Sequence, residues 1–313
     1  MDQIRNVAVL GAGVIGASWA ALYLAAGRGV TVYDPAPEAE SAVRSYIDKA
    51  WPALEALGLT DRAARDALRF VSTVRDAVEG ADFVQENVPE RLEIKHATFA
   101  EIESALGAGA IVSSSTSGLT LEALQQGWRD PAPLILGHPF NPPHLIPLVE
   151  LTANAKTGPG ILDLTEAFYA DVGKVTIRIK KGLPGHVANR LQAAVWREAV
   201  HMAVEGVASV EDIDKAMWAG PGLRWAAMGP TMLFHLGAGE GGLRAFCDHF
   251  QDTFNGWWDG LGDPRLNADV IDTLVEGMAE QARGRSPAEL SAERDRMLIA
   301  MQAALKTLHA EVD

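Results

Sequence analysis

Short apolar runs alternate with helically spaced ones through the first half of the chain, and helical spacing takes over in the second. Asn6 to Leu10 is a β-branched apolar run that predicts a buried strand. Ala17 to Ala26, rich in Ala and Leu, predicts a helix, and Val30 to Tyr33 predicts a second strand that ends in Asp34. From Glu38 to Leu68 apolar residues recur at helical spacing (Val43, Ile47, Trp51, Leu54, Leu57). That stretch predicts a helical hairpin, its first arm ended by Gly58 and its second capped by Thr60 or Asp61. Strands are predicted at Arg69 to Ser72, Asp82 to Glu86 and Ala110 to Ser114, with a helix over Arg91 to Leu106 between the last two. Leu134 to Leu136 runs into GHPFNPPHLIPLVEL, Gly137 to Leu151, whose prolines predict two short buried strands joined by a rigid loop. A helix over Gly160 to Val172 and an edge strand over Val175 to Ile179 follow. Lys180 to Pro184 then reads as a boundary. Beyond it helices are predicted at Val187 to Val204, after a capping-box-like start at Ser209 to Asp212, and at Pro287 to Leu308.

The first strand passes directly into Gly11, Gly13 and Gly16, spaced G-x-G-x-x-G, then into the helix and the strand ending at Asp34. That order is the dinucleotide fingerprint. Gly11 permits the tight turn, Gly13 lets the backbone approach a pyrophosphate, and Gly16 lets helix and strand pack closely. Gly11, Gly13, Val14, Ile15 and Gly16 are therefore the expected cofactor cradle, with the helix N-terminus offering free N–H groups to the phosphates. A carboxylate at Asp34 accepts from ribose hydroxyls and repels a 2′-phosphate, and Pro35-Ala36-Pro37 brings no arginine, so NAD is expected over NADP.

His138 closes one predicted strand and Glu150 lies on the next. The pair reads either as a general base with an orienting carboxylate or as a core histidine beside a chance acid. SSSTSG, Ser113 to Gly118, places hydroxyls at the edge of a parallel sheet, where they either face a ligand crevice or only form a turn. Arg224 and Trp225 fall in GPGLRWAAMGP, expected to be a constrained loop. The later aromatics, Phe234 to Trp258, read as core or subunit interface rather than a ligand cage. His235, Cys247 and His249 match no zinc spacing, so no metal is expected.

Composition narrows the classes. The chain has 313 residues, 48% of them hydrophobic, enough for about two domains and inconsistent with disorder. A net charge of −14 disfavours nucleic acid and anionic membranes as partners. One cysteine, Cys247, allows no internal disulfide and fits a reducing cytoplasm. The first residues lack a signal-peptide layout, and no stretch approaches a membrane-spanning length.

GAGVIG, the Glu90 and Lys95 pair in PERLEIK, SSTSGL, GHPFNPPHLIPLVEL and GLPGHVANRL, in this order, resemble the L-3-hydroxyacyl-CoA dehydrogenase family over almost the full length. The resemblance implies an α/β fold: an N-terminal Rossmann dinucleotide-binding domain, residues 1–183, and an all-helical C-terminal domain, 184–313, that binds substrate and forms a homodimer. It implies His138 as catalytic base, Glu150 as its partner, and Ser117 and Asn189 as contacts to the substrate oxygen. Glu90, Lys95 and Ser115 fall where the family contacts the cofactor, although the family often has Asn in place of Ser115. Two features point away from an acyl-CoA. Charges in the Glu38 to Arg69 region nearly balance where CoA phosphates want basic residues, and Arg224 suits a free carboxylate unless it only braces its loop. GLRWAAMGP, the GAGEGG run and VEGMAEQARGRSPAEL resemble most the L-carnitine dehydrogenase subgroup, whose substrate's quaternary ammonium would sit on an aromatic face such as Trp225. Acyl-CoA dehydrogenases, L-gulonate 3-dehydrogenase and the lambda-crystallin relatives, which serve as structural proteins, stand as the alternatives.

Overall fold

A computed structural model describes residues 4–310. These residues form two compact units. The first runs to Val187 and includes Asp295–Ala304, and the second comprises Ala188–Arg294 and takes up the last helix from Leu305.

The first unit is built on an eight-stranded sheet. In chain order its elements are β1 (Asn6–Leu10), α1 (Val14–Ala25), β2 (Gly29–Tyr33), α2 (Ala39–Leu57), β3 (Leu68–Val71), α3 (Val74–Val78), β4 (Phe83–Glu86), α4 (Leu92–Ala105), β5 (Ile111–Ser114), α5 (Leu121–Gln125), β6 (Leu134–Pro139), β7 (Leu148–Thr152), α6 (Ile161–Asp171) and β8 (Val175–Arg178). The strand order is β3-β2-β1-β4-β5-β6-β7-β8. All neighbours pair in parallel except β6 and β7, which are antiparallel. β4, β5 and β6 are buried at every position, as expected where helices cover both faces of a parallel sheet. One apolar cluster lies around Val9, Trp19, Tyr23 and Ile47 and another around Leu10, Phe99, Ile102 and Leu136. β8 is the edge strand the alternation predicts.

The glycine run has the expected local roles. Gly11 takes a φ of 84°, and a Cβ there would sit 2.6 Å from the Asn87 carbonyl oxygen. A Cβ on Gly16 would meet the Gly11 carbonyl at 1.9 Å, whereas one on Gly13 would meet nothing within 4 Å. The chain is therefore pinched at Gly11 and Gly16 and open at Gly13.

The helical hairpin of Glu38 to Leu68 is corrected. Its first arm is α2, ended by Gly58 at φ 97°. The second arm is a loop with a single 3-10 turn, Arg65–Ala67. Thr60 and Ala64 donate their N–H groups to Ala25 and Leu24, at the end of α1, instead of to residues of their own segment. A helix has no claim on N–H groups that a neighbouring helix end takes up.

The second unit is helical: α7 (Ala188–Val204), α8 (Val210–Met217), α9 (Leu223–Ala227), α10 (Pro230–Gly237), α11 (Gly242–Asp259) and α12 (Ala268–Ala282), with α13 (Pro287–Ala310) shared between the units. Ser209 caps α8 by accepting from Asp212. GPGLRWAAMGP is not a loop, which corrects the expectation. Trp218–Gly222 forms a wide helical turn broken at Gly220, and Arg224 and Trp225 lie on α9, closed by Met228 N–H donating to the Arg224 carbonyl. Few side chains of this unit are buried (Val200, Ile213 and Val270), while Trp196, Trp218, Leu223, Trp257, Trp258 and Val275 are more than half exposed. Among the described residues no helix is long and apolar enough to cross a membrane.

Replacing Gly16 by Ala drives a methyl into backbone that no rotamer change relieves. Urea unfolding of Gly16→Ala is expected to show a loss of about 1–3 kcal/mol or more. Unchanged stability would mean that α1 and β1 do not require this close approach.

Candidate active site

The β6–β7 register sets His138 directly opposite Glu150. Residues opposite each other in an antiparallel pair project from the same face, and here they meet. His138 Nδ1 lies 2.9 Å from Glu150 Oε2. His138 is 6% exposed and Glu150 fully buried. A carboxylate only accepts, so the bond places a proton on Nδ1, and in the neutral ring the lone pair then lies on Nε2. The other carboxylate oxygen, Oε1, accepts the Val187 N–H at 2.9 Å. Glu150 thus fixes both the histidine and the segment that leads into α7.

The loop between the two strands is tied down at both ends. His144 Nδ1 lies 2.8 Å from the Ser18 hydroxyl, which also accepts the His144 N–H at 2.9 Å. Lys174, immediately before β8, donates to the carbonyls of Pro143 and Ile146, and its ammonium lies 4.9 Å above the Trp19 ring. Burial pushes the Lys174 pKa down to about 7. Because Ser18 and Trp19 belong to α1, the cofactor helix and the histidine strand are held by shared contacts.

The cradle expected for NAD is in place. α1 begins after Gly13 with no side-chain cap, so its first N–H groups are unclaimed by side chains. Asp34 accepts from Ala12 N–H at 2.7 Å and Ala36 N–H at 2.9 Å, which aims its carboxylate at the end of β2 and leaves lone pairs for ribose hydroxyls. Asp34, Pro35, Ala36, Arg69, Phe70 and Ser72 line a pocket there. The open space at Gly13, the exposed helix start at Val14 and the carboxylate at the adjacent strand end fit a dinucleotide. Ile15, half-buried, backs the cradle.

The loops after β4 and β5 show how the remaining expected residues are placed. Glu90 Oε1 accepts from the Thr116 hydroxyl, the Ser117 N–H at 3.0 Å and the Gly118 N–H at 2.7 Å, with Lys95 at 3.7 Å from the other oxygen. Burial by itself would raise the Glu90 pKa. The Thr116 and Gly118 bonds, Lys95 and the Ser117 bond together outweigh it and hold the carboxyl below the usual range. Lys95 differs from a direct cofactor contact. It is 1% exposed, and its ammonium donates to Glu86 Oε1 at 2.7 Å and to the Val88 carbonyl at 3.1 Å, bracing the loop from behind. Ser115 is also turned inward. Its hydroxyl accepts from Trp19 Nε1 and Gln85 Nε2 and donates to Asn87 Oδ1, which commits it to the core. Ser117 is exposed.

Asn189, Arg224 and Trp225 belong to the second unit. Asn189 is half-buried in the first turn of α7, Arg224 is exposed on α9, and Trp225 beside it is 37% exposed. Sequence reasoning missed His186, which the structure stacks on His138 with ring centroids 4.7 Å apart. The available signal was a histidine placed directly after Pro184-Gly185 within the motif that ends in Asn189. Asn87, which directly follows the strand predicted over Asp82 to Glu86, donates its amide to the Leu10 and Gln85 carbonyls. Among the described residues no group of three His, Cys, Asp or Glu could hold a metal ion.

Comparison with known proteins agrees with this architecture. Residues 6–182 match the family model described as 3-hydroxyacyl-CoA dehydrogenase, NAD binding domain, and residues 185–281 match 3-hydroxyacyl-CoA dehydrogenase, C-terminal domain. The chain is 48% identical over 305 residues to an L-carnitine dehydrogenase of Nocardiopsis dassonvillei, covering 97% of this chain and 93% of that one. It is 41% identical over 310 residues to an L-carnitine dehydrogenase of Pseudomonas putida, covering 99% and 97%. Among solved structures, an NAD+-dependent dismutase, 5-formyl-3-hydroxy-2-methylpyridine 4-carboxylic acid 5-dehydrogenase, is similar with a TM-score of 0.82 and 32% identity, covering 97% of this chain and 99% of that one.

Because the folded state holds Glu90 below its unfolded pKa, the stabilisation is present above the ordinary carboxylate range and is lost as pH falls through the folded value. Glu90→Gln is expected to lower the melting temperature at pH 7, with the gap to the wild type closing as pH falls below the usual carboxylate range. A gap independent of pH would show that the Glu90 charge is not what holds this loop.

Proposed function

The chain belongs to the 3-hydroxyacyl-CoA dehydrogenase family of NAD-dependent oxidoreductases, and we propose that it oxidises the 3-hydroxyl of a free L-3-hydroxy acid, L-carnitine, to 3-dehydrocarnitine. The chemistry is carried by the His138–Glu150 pair, with its imidazole buried, oriented and left with a lone pair on Nε2. Nε2 accepts the proton of the substrate hydroxyl, and Glu150 stabilises the imidazolium that forms. Ser117 and Asn189 steady the oxygen as it becomes a carbonyl. When bound at Gly11 to Gly16, NAD supplies the acceptor for the hydride that leaves C3. Asp34 favours NAD over NADP by repelling a 2′-phosphate. Glu90 orders the turn that carries Ser117, while Lys95 and Ser115 support the cofactor side from beneath.

The choice of substrate is supported by the L-carnitine dehydrogenases that resemble the chain along nearly its whole length. Two features of the chain agree. The segment expected to form the second hairpin arm, which the family resemblance connects with CoA, is a short loop. Arg224 and Trp225 are consecutive residues of α9, and their chemistries suit the two ends of the substrate, a carboxylate taken by a guanidinium and a quaternary ammonium taken by an aromatic face. The exposed apolar side chains of the helical unit suit a homodimer interface. The exposed lone cysteine, Cys247, suits a reducing cytoplasm.

A substrate panel followed at the NADH absorbance tests the reading: L-carnitine, L-3-hydroxybutyrate, L-gulonate and a 3-hydroxyacyl-CoA. L-Carnitine is expected to give the highest kcat/KM, and dominant turnover of the thioester would replace the substrate assignment. His138→Gln should lower kcat by about 10²–10⁴-fold with NAD affinity retained, Trp225→Ala and Arg224→Met should raise KM for carnitine, and an unchanged KM would remove the residue concerned from the site. Light scattering should report twice the mass of one chain, and a monomer at working concentration would exclude the dimer.

A further inference from the structure

Gly11, Asn87 and Ser115 are the first residues after β1, β4 and β5, three neighbouring parallel strands. β2 and β3 lie to one side of β1, and β4 and β5 lie to the other. The three residues therefore stand in a row at the carboxyl edge where the strand order reverses, the place at which an open parallel sheet receives its ligand. The middle one, Asn87, is half-buried, and the reaction as described gives it no task. Its amide is engaged through both nitrogen and oxygen. Nδ2 donates to the Gln85 carbonyl at 2.9 Å and to the Leu10 carbonyl at 3.3 Å, and Oδ1 accepts the Ser115 hydroxyl at 2.7 Å. That hydroxyl already accepts from Trp19 Nε1 and Gln85 Nε2, so its one proton is left for Asn87. A reversed amide would set Oδ1 against two carbonyls, which only accept, so the orientation of the amide is determined.

We propose that Asn87 is a positioning residue for hydride transfer, its amide spanning the point of strand reversal to hold the dinucleotide turn at Gly11 in register with the turn that carries Ser117. This rests on the reaction read above, in which NAD lies on the first turn and Ser117 steadies the C3 oxygen. The pairing of the strands does not depend on the side chain. Main-chain bonds close the ladders at this edge, Asn87 N–H to the Leu10 carbonyl at 2.7 Å and Ser115 N–H to the Glu86 carbonyl at 2.8 Å. The amide adds a second tie across the same three strand ends. Asn87 also backs the cofactor turn directly, because its carbonyl oxygen lies 2.6 Å from where a Cβ on Gly11 would stand. The cofactor's phosphates and ribose are met by Gly11 to Gly16 and Asp34, and those contacts do not pass through the amide. Loss of the tie therefore acts on the placement of the two reacting carbons rather than on affinity for NAD. A displacement of about 1 Å between reacting partners costs about 10²-fold in rate.

The test uses the intact chain with NAD, L-carnitine and L-carnitine deuterated at C3, well below the melting temperature of each variant. Asn87→Ala removes the amide. Asn87→Asp keeps its shape but replaces the two N–H donors by an oxygen that only accepts and faces two carbonyls. For both variants kcat is expected to fall about 10–10²-fold, with the Kd for NAD unchanged and a deuterium isotope effect at least as large as that of the wild type. Such an isotope effect places the loss in the hydride step, which a loss of stability alone does not move. Wild-type kcat in either variant overturns the proposal. So does a Kd for NAD that rises in step with the loss of kcat, which marks a binding role, or a smaller isotope effect, which marks a different step. Wild-type protein that is inert towards L-carnitine and the other short hydroxy acids would instead overturn the functional reading, and this proposal with it.

Discussion

The strand reversal between β6 and β7 is the constraint on which the site depends. Through β6 the sheet is parallel, and a parallel neighbour needs a long crossover before it can return. Here the chain turns back within the loop after Pro139, so that residues 138 and 150 face each other. Glu150 is fully buried, and a buried carboxylate must be matched by donors. Its donors include two of different origin, the imidazole of His138 and the main-chain N–H of Val187. One carboxylate therefore orients the base and fixes the backbone that precedes α7.

Beneath the site lies a polar network that is itself buried. The hydroxyls of Tyr23 and Tyr169 both donate to Gln85 Oε1, at 2.7 and 2.8 Å, and Ser113 joins through Tyr169. Burial pushes both phenol pKa values well up, which keeps the hydroxyls protonated as donors. Gln85 continues the network to Ser115, and Ser115 to Trp19 and Asn87. The rings of Trp19 and Tyr23 stack at 5.3 Å on the inner face of α1. The helix whose first turn would hold the pyrophosphate is thereby locked to β4 and β5, and the Ser18–His144 bond locks it to the loop that follows His138. Cofactor cradle and base share a single rigid support, as a reaction between two positioned partners requires.

Much of this was legible in the sequence because its causes are local. The glycine spacing specifies a pinched turn wherever it occurs, and Asp34 follows at the distance one helix and one strand dictate. Gly58 ended α2 as expected, since a helix stop needs only its own φ. The second hairpin arm failed because its N–H groups were claimed by the end of α1, a competition invisible to periodicity. Arg224 and Trp225 were assigned to a loop because glycine and proline flank them, yet the intervening residues closed a short helix. Ser115 and Lys95 were expected to face the cofactor. Their direction depends on partners from α1 and β4, and these turned them inward.

By itself the sequence determined the order of elements, the dinucleotide turn, the preference for a 2′-hydroxyl at Asp34 and the candidacy of His138 with Glu150. Each follows from dihedral preference, spacing or charge within a few residues of one another. Only the tertiary structure decided that β7 runs antiparallel to β6, so that those two side chains meet, and that the His186 ring is buried against His138. Strand direction and the burial of a donor are set by which surfaces pack together, and that is a property of the whole fold and not of any stretch of chain.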